Sequence, residues 1–186
     1  MNSWIEYNNE SGDWIRRWSR VFYWFATVLI VMVPVGVAWS WSHFSQMAPF
    51  LPSMAGIPYH PDMVTLPMLV GAACLNLLSG LIAMYGFWQL RHLFAIFSDG
   101  QYFHANAIMK VRNFALAAMV YSVAAPITRM LIGVLMTISN PPGQRLLLLR
   151  LSSDDLVIFF LGGVFYVIAR VWCEARAIAD ENAQII

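Results

Sequence analysis

Arg129 puts a positive charge inside the apolar run 114–138. A guanidinium is not deprotonated in proteins, and insertion scales charge about 2.5–3.5 kcal/mol for one at a helix centre. Something in the fold must offset that cost. Counting inward along the run 66–88, Asn76 reaches a similar depth and Ser79 lies one turn deeper. These two form a candidate intramembrane polar cluster with Arg129. Hydrogen bonds between membrane helices average only about 0.6 kcal/mol, so one amide does not cover the charge. Arg129 is therefore expected to reach outward to Asp154 or Asp155. Pro126, just before it, removes a backbone donor and is expected to kink the helix and free a carbonyl.

Asp154 and Asp155 are adjacent carboxylates, the residue type for general acid–base work. Ser152 stands three residues before Asp155, which is the spacing of a capping box with Asp in place of Glu. Both acids then suit the positive end of a helix dipole. His43 and His60, with Met47, Met54 and Met63 in the same segment, carry the imidazole and thioether ligands that select copper(I). Their spacing is not that of a tight ligand pair. No Ser-His-Asp set, HExxH or phosphate-cradling glycine loop occurs, so no catalytic residue, cofactor or metal site is assigned and the chain is expected not to be an enzyme.

The elements that position these residues follow from composition. Of 186 residues, 60% are hydrophobic and 11% charged, against about 25% charged in soluble domains. Mean hydropathy is +0.62. Lipid is the implied solvent. A net charge of +1 gives no case for direct nucleic-acid binding. Four runs, 21–41, 66–88, 114–138 and 156–171, reach or approach the roughly 20 residues that cross a bilayer. The last is short and works if Arg170 snorkels to the surface. Cys74 and Cys173 fall at different depths and exclude a disulfide framework.

Eight of the eleven basic residues (Arg16, Arg17, Arg20, Arg91, Lys110, Arg112, Arg170, Arg176) lie before the first run, between the second and third, or at and beyond the end of the fourth. Only Arg145 and Arg150 lie in the other connections. The positive-inside rule puts both termini in the cytoplasm. The expected fold is a single all-α membrane domain over 1–186, a four-helix bundle in the bacterial inner membrane. Its first outer loop holds five of nine prolines and is expected to be a turn-rich lid. In the second, Asn140-Pro141-Pro142-Gly143 signals a turn, and 146–151 is a candidate short strand or a segment lying on the bilayer.

The cytoplasmic connection 89–113 contains "FSDGQYFHANAIMKVR". Leu90, Phe94 and Phe97 continue the helical spacing of the second span. Gly100 suits a left-handed C-cap, and His104 or Asn106 is expected to cap the next helix. The tail 172–186 keeps helical character, with Arg176 and Asp180 spaced to pair. It is expected either to pack on the 89–113 connection or to present a ridge to a soluble partner. The leader 1–20, with Trp4, Trp14 and Trp18, is expected to lie along the cytoplasmic interface.

These segments carry a resemblance. The stretch 97–112, with Phe97, Gly100, Phe103, Asn106, Val111 and Arg112, resembles the hallmark of a bacterial four-span membrane family of unknown function, number 2975. "LRLSSDDL" resembles that family's entry into its last helix at Leu156, and "EARAIADENAQII" its ending, at Glu174, Glu181 and Asn182. The pattern departs at His104, where the family places Thr or Ser, and at Asp180, where it places Glu. The resemblance implies a partner: many members are encoded beside a small Cro/Xre-type helix-turn-helix regulator. Three readings follow. The first is a membrane sensor that holds such a regulator at its cytoplasmic face. The second is a small transporter or transport accessory, working as a homo-oligomer, with Arg129 in its path. The third is a metal-responsive outer loop.

Overall fold

Lipid cannot satisfy backbone donors and acceptors, so apolar runs that cross it must bond internally as helices. The computed structural model of the chain describes residues 3–54, 56, 57, 59–100, 104–141 and 143–183, with the side chains of 3–13, 52, 61, 179, 182 and 183 outside that description. It is an all-α four-helix membrane bundle. The long helices are α1 (Ser3–Ser42), α3 (Leu66–Ser98), α4 (Ala105–Thr137) and α5 (Ser153–Ala183), with one short turn of helix, α2 (Phe44–Met47). Along α1 the side chains of Trp24, Phe25, Val28, Val31, Met32 and Val35 are each more than half exposed. Such a surface suits lipid rather than water.

Each long helix exceeds its apolar run. At 1.5 Å per residue the 40 residues of α1 extend about 60 Å, twice the hydrocarbon thickness. From Ser3 onward the leader belongs to the same helix as the first span. No proline interrupts it before Pro34, so the helix of the first span continues back through it. The second span likewise runs on to Ser98, and the fourth runs to Ala183.

The chain divides into two units, to each of which all four long helices contribute. The terminal unit comprises Met1–Ile30, Tyr85–Ala117 and Leu161–Ile186. Its core is Leu93, Ala107, Ile108, Val111 and Ala169, flanked by Leu90, Ile96, Phe97 and Trp172. Trp172 thus packs the start of the tail against the 89–113 connection. Gly100 ends α3 with φ +79°, and its N–H donates to the Phe97 carbonyl at 3.1 Å. The Arg16 guanidinium lies where a Cβ on Gly100 would stand, 3.0 Å away. His104, not Asn106, caps α4: its Nδ1 accepts from the Asn106 backbone N–H at 3.3 Å. Arg91 donates to the Tyr23 hydroxyl at 2.6 Å and lies over the Tyr23 and Trp88 rings.

The loop unit comprises Val31–Met84 and Ala118–Phe160. Its core is Trp41, Phe44, Ala48, Met54, Ala72, Ile132 and Met136. Small residues bring helices close here: a Cβ on Gly80 would sit 2.9 Å from Val33 Cγ1, as expected where membrane helices associate through van der Waals contact. The proline-rich loop folds as successive 3₁₀ turns, Ala48–Phe50, Pro52–Met54 and Pro61–Met63. The second connection turns at Asn140, with the Gln144 N–H donating to the Pro141 carbonyl at 3.0 Å. Thr137 Oγ1 then accepts from the Leu146 N–H at 3.2 Å. Among the described residues no strand forms, so 146–151 is not the short strand its composition allows. Its neighbours are helices and 3₁₀ turns, and none offers a second ladder edge.

Candidate functional site

The site is built where α5 begins. Ser152 precedes the helix, and its Oγ accepts from the Asp154 N–H at 3.3 Å. The Asp155 carboxylate reaches back to the Ser152 N–H at 2.8 Å, which is the reciprocal arrangement of a capping box. The same oxygen, Oδ2, accepts from the Arg129 guanidinium of α4 and forms an ion pair with it. The guanidinium also donates to the Arg150 carbonyl at 3.5 Å. Asp155 serves as both cap and counter-ion, whereas Asp154 is exposed.

Among the described residues, two cavities adjoin this pair. One, of about 20 Å³, is lined by Ser53, Ile57, Arg129, Gly133, Leu146, Leu148 and Arg150. The other is an apolar groove of about 270 Å³ between α4 and α5, lined by Ser122, Val123, Pro126, Ile127, Leu149, Leu151, Asp155, Leu156 and Phe159. Residues 148–151 are divided between them by parity. Leu148 and Arg150 face the small cavity, and Leu149 and Leu151 face the groove. Side chains alternate in this way along an extended backbone whether or not it has a partner strand. The ion pair is divided too, with the guanidinium on the small cavity and the carboxylate on the groove.

Gly56 has φ +70°, and a Cβ there would lie 2.8 Å from Arg150 Nη2. Glycine thus lets the guanidinium close on the lid backbone. Ser53 is buried, and its Oγ has no hydrogen-bond partner among the described residues. His60 Nε2 bonds Gln144 Oε1 at 3.1 Å and joins the two loops.

The structure does not bring Asn76 and Ser79 to Arg129. Ser79 Oγ donates to the Asn76 carbonyl of its own helix at 3.0 Å, and neither residue lines the small cavity. His43 stacks on Trp39 at 4.3 Å, and Met54 is part of the core. Among the described residues no three of His, Cys, Asp and Glu gather as a metal set. In the terminal unit, Phe97 packs in the core while Asn106, Arg112, Glu174 and Glu181 are exposed. Phe103 lies outside the described residues, as does the side chain of Asn182. Arg176 pairs with Asp180 at 3.5 Å.

Ser53 and Arg150 are additions the sequence reading missed. The order Leu148-Leu149-Arg150-Leu151 contained the signal for Arg150, because alternation places it on the face of Leu148. Nothing local marks Ser53. Comparisons with protein-family models, with curated proteins and with solved structures return no match for this chain.

Proposed function

We propose that this chain is a non-enzymatic regulator of the bacterial inner membrane, with both termini in the cytoplasm, whose terminal unit docks a small soluble Cro/Xre-type helix-turn-helix protein. The observation that carries this reading is helix length. All four long helices outrun the roughly 20 residues that lipid requires, and their surplus, rich in charge, belongs to the terminal unit. That unit is ordered by its own apolar core, yet it leaves Arg112, Glu174, Ile178 and Glu181 exposed. A lipid anchor needs no such platform, and a docking surface does. The excess of Lys and Arg in the same segments supports the cytoplasmic placement, and the resemblance to family 2975 supports the class of partner.

The ion pair with Asp155 favours a structural clamp over a transport path for Arg129, since a charge already neutralised offers little to a passing ion. The experiment is affinity capture from solubilised membranes, comparing wild type with Arg112→Glu and Ile178→Asp. A Cro/Xre-type protein recovered with wild type and lost with the variants is the expected result. Its recovery in equal amounts from all three, or from none, would overturn the proposal.

A further inference from the structure

We propose that Arg91, with Tyr23 and Arg20 beside it in the terminal unit, binds the phosphodiester headgroup of an anionic phospholipid. A guanidinium is always charged and presents a planar fork that matches phosphate. Here it is held in one place. Arg91 Nη2 donates to the Tyr23 hydroxyl at 2.6 Å, and Cζ lies 4.8 Å and 5.5 Å from the centres of the Tyr23 and Trp88 rings. The rings attract the cation but do not neutralise it. Among the described residues no ion pair joins Arg91 or Arg20 to a carboxylate. Arg91 Nε is buried without a partner, so the group carries more donors than the protein answers.

The Tyr23 oxygen already accepts from Arg91, which leaves its own O–H to donate outward. Arg20 stands about one turn before Tyr23 on α1 and is exposed. Along each helix the nearest acid, Asp13 on α1 and Asp99 on α3, comes about two turns farther from the apolar run. Three donor side chains with no carboxylate among them suit an acceptor-only group that brings no ammonium, the chemistry of phosphatidylglycerol. Position selects a lipid over a soluble phosphate. Tyr23 lies within the apolar run 21–41 and Arg91 about one turn beyond the run 66–88, where hydrocarbon gives way to headgroups. On the span side Trp24, Val28 and Tyr85 are exposed and offer acyl chains an apolar surface. The inference goes beyond the docking reading and shares none of its residues.

The test uses the full purified chain, stripped of lipid in detergent. Phosphatidylglycerol or phosphatidylcholine with the same acyl chains is titrated in and read by native mass spectrometry, with melting temperature reporting folding. Wild type should bind its first phosphatidylglycerol about tenfold tighter than phosphatidylcholine, and excess inorganic phosphate should not displace it. Arg91→Gln should weaken phosphatidylglycerol about tenfold, the loss of one charge-assisted contact, and abolish the preference. Arg20→Gln alters an exposed side chain and should weaken it about fivefold at unchanged melting temperature, which keeps the test open if Arg91→Gln fails to fold. Arg170→Gln removes the same charge at the end of the fourth span and should change neither constant. Equal binding of the two lipids by wild type overturns the proposal, as does binding undiminished by Arg91→Gln or Arg20→Gln. Equal weakening by Arg170→Gln shows general surface charge only, and displacement by inorganic phosphate shows a soluble-anion site; either result also overturns it.

Discussion

Arg129 of α4 and Asp155 in the first turn of α5 form an ion pair whose side chains are 20% and 5% exposed. The carboxylate is held from its own helix as well, because it accepts the Ser152 N–H and sits at the positive end of the α5 dipole. A single oxygen therefore begins a helix and neutralises a neighbouring one. This relationship ties α4 to the first turn of α5 within the loop unit.

Removing one partner strands a buried charge, which costs about 3–5 kcal/mol. Asp155→Ala should lose that much in reversible SDS unfolding, and Arg129→Leu somewhat less, because the remaining carboxylate keeps its cap. Replacing both, as Arg129→Leu with Asp155→Ala, should restore part of the Asp155→Ala loss, because no buried charge is left unpaired. A double variant as unstable as the sum of the singles would contradict a coupled pair.

Gly100 and Gly143 both have positive φ, +79° and +94°, but only Gly100 is crowded, by Arg16. Alanine at either position incurs the left-handed penalty, about 1–2 kcal/mol. Gly100→Ala should cost more than Gly143→Ala, and a second change, Arg16→Ala, should narrow the gap. Melting temperatures of the four proteins measure this.

Ile132 is fully buried, whereas Leu131 beside it is 41% exposed. Ile132→Ala should cost about 2–5 kcal/mol through the cavity it leaves. Leu131→Ala faces lipid, which fills the space, and should cost far less. Parallel SDS titrations of the two variants provide the comparison.

Cys74 and Cys173 are both exposed free thiols, the first within an apolar span and the second beyond one. The proposed orientation, with both termini cytoplasmic, predicts that a membrane-impermeant maleimide labels Cys173 in inside-out vesicles and not in intact spheroplasts. Cys74 should stay unlabelled in both, since it lies within an apolar span that a charged, impermeant reagent does not enter. Labelling of Cys173 from outside would reverse the orientation.

The helices were legible because apolar length is a one-dimensional signal, and the start of α5 because a capping box is local. Their ends were not: where no breaker intervenes, as before Val21 and after Trp88, polarity alone does not stop a helix. The partner of Arg129 was readable as Asp154 or Asp155, since only a carboxylate matches its cost, and capping geometry selects Asp155. Asn76 was misplaced because depth along a span says nothing about which face a side chain takes. Ser53 reaches the site through the packing of 3₁₀ turns, which leaves no periodic trace in the chain.

The division of residues 148–151 between the two cavities makes that connection sensitive to reading frame in a structural sense. Deleting one residue there would swap odd and even positions, steering the arginine toward the greasy side and a leucine toward the donors. Adding or removing two would preserve every assignment. Natural or engineered length changes in this segment should therefore be tolerated in pairs and rejected singly.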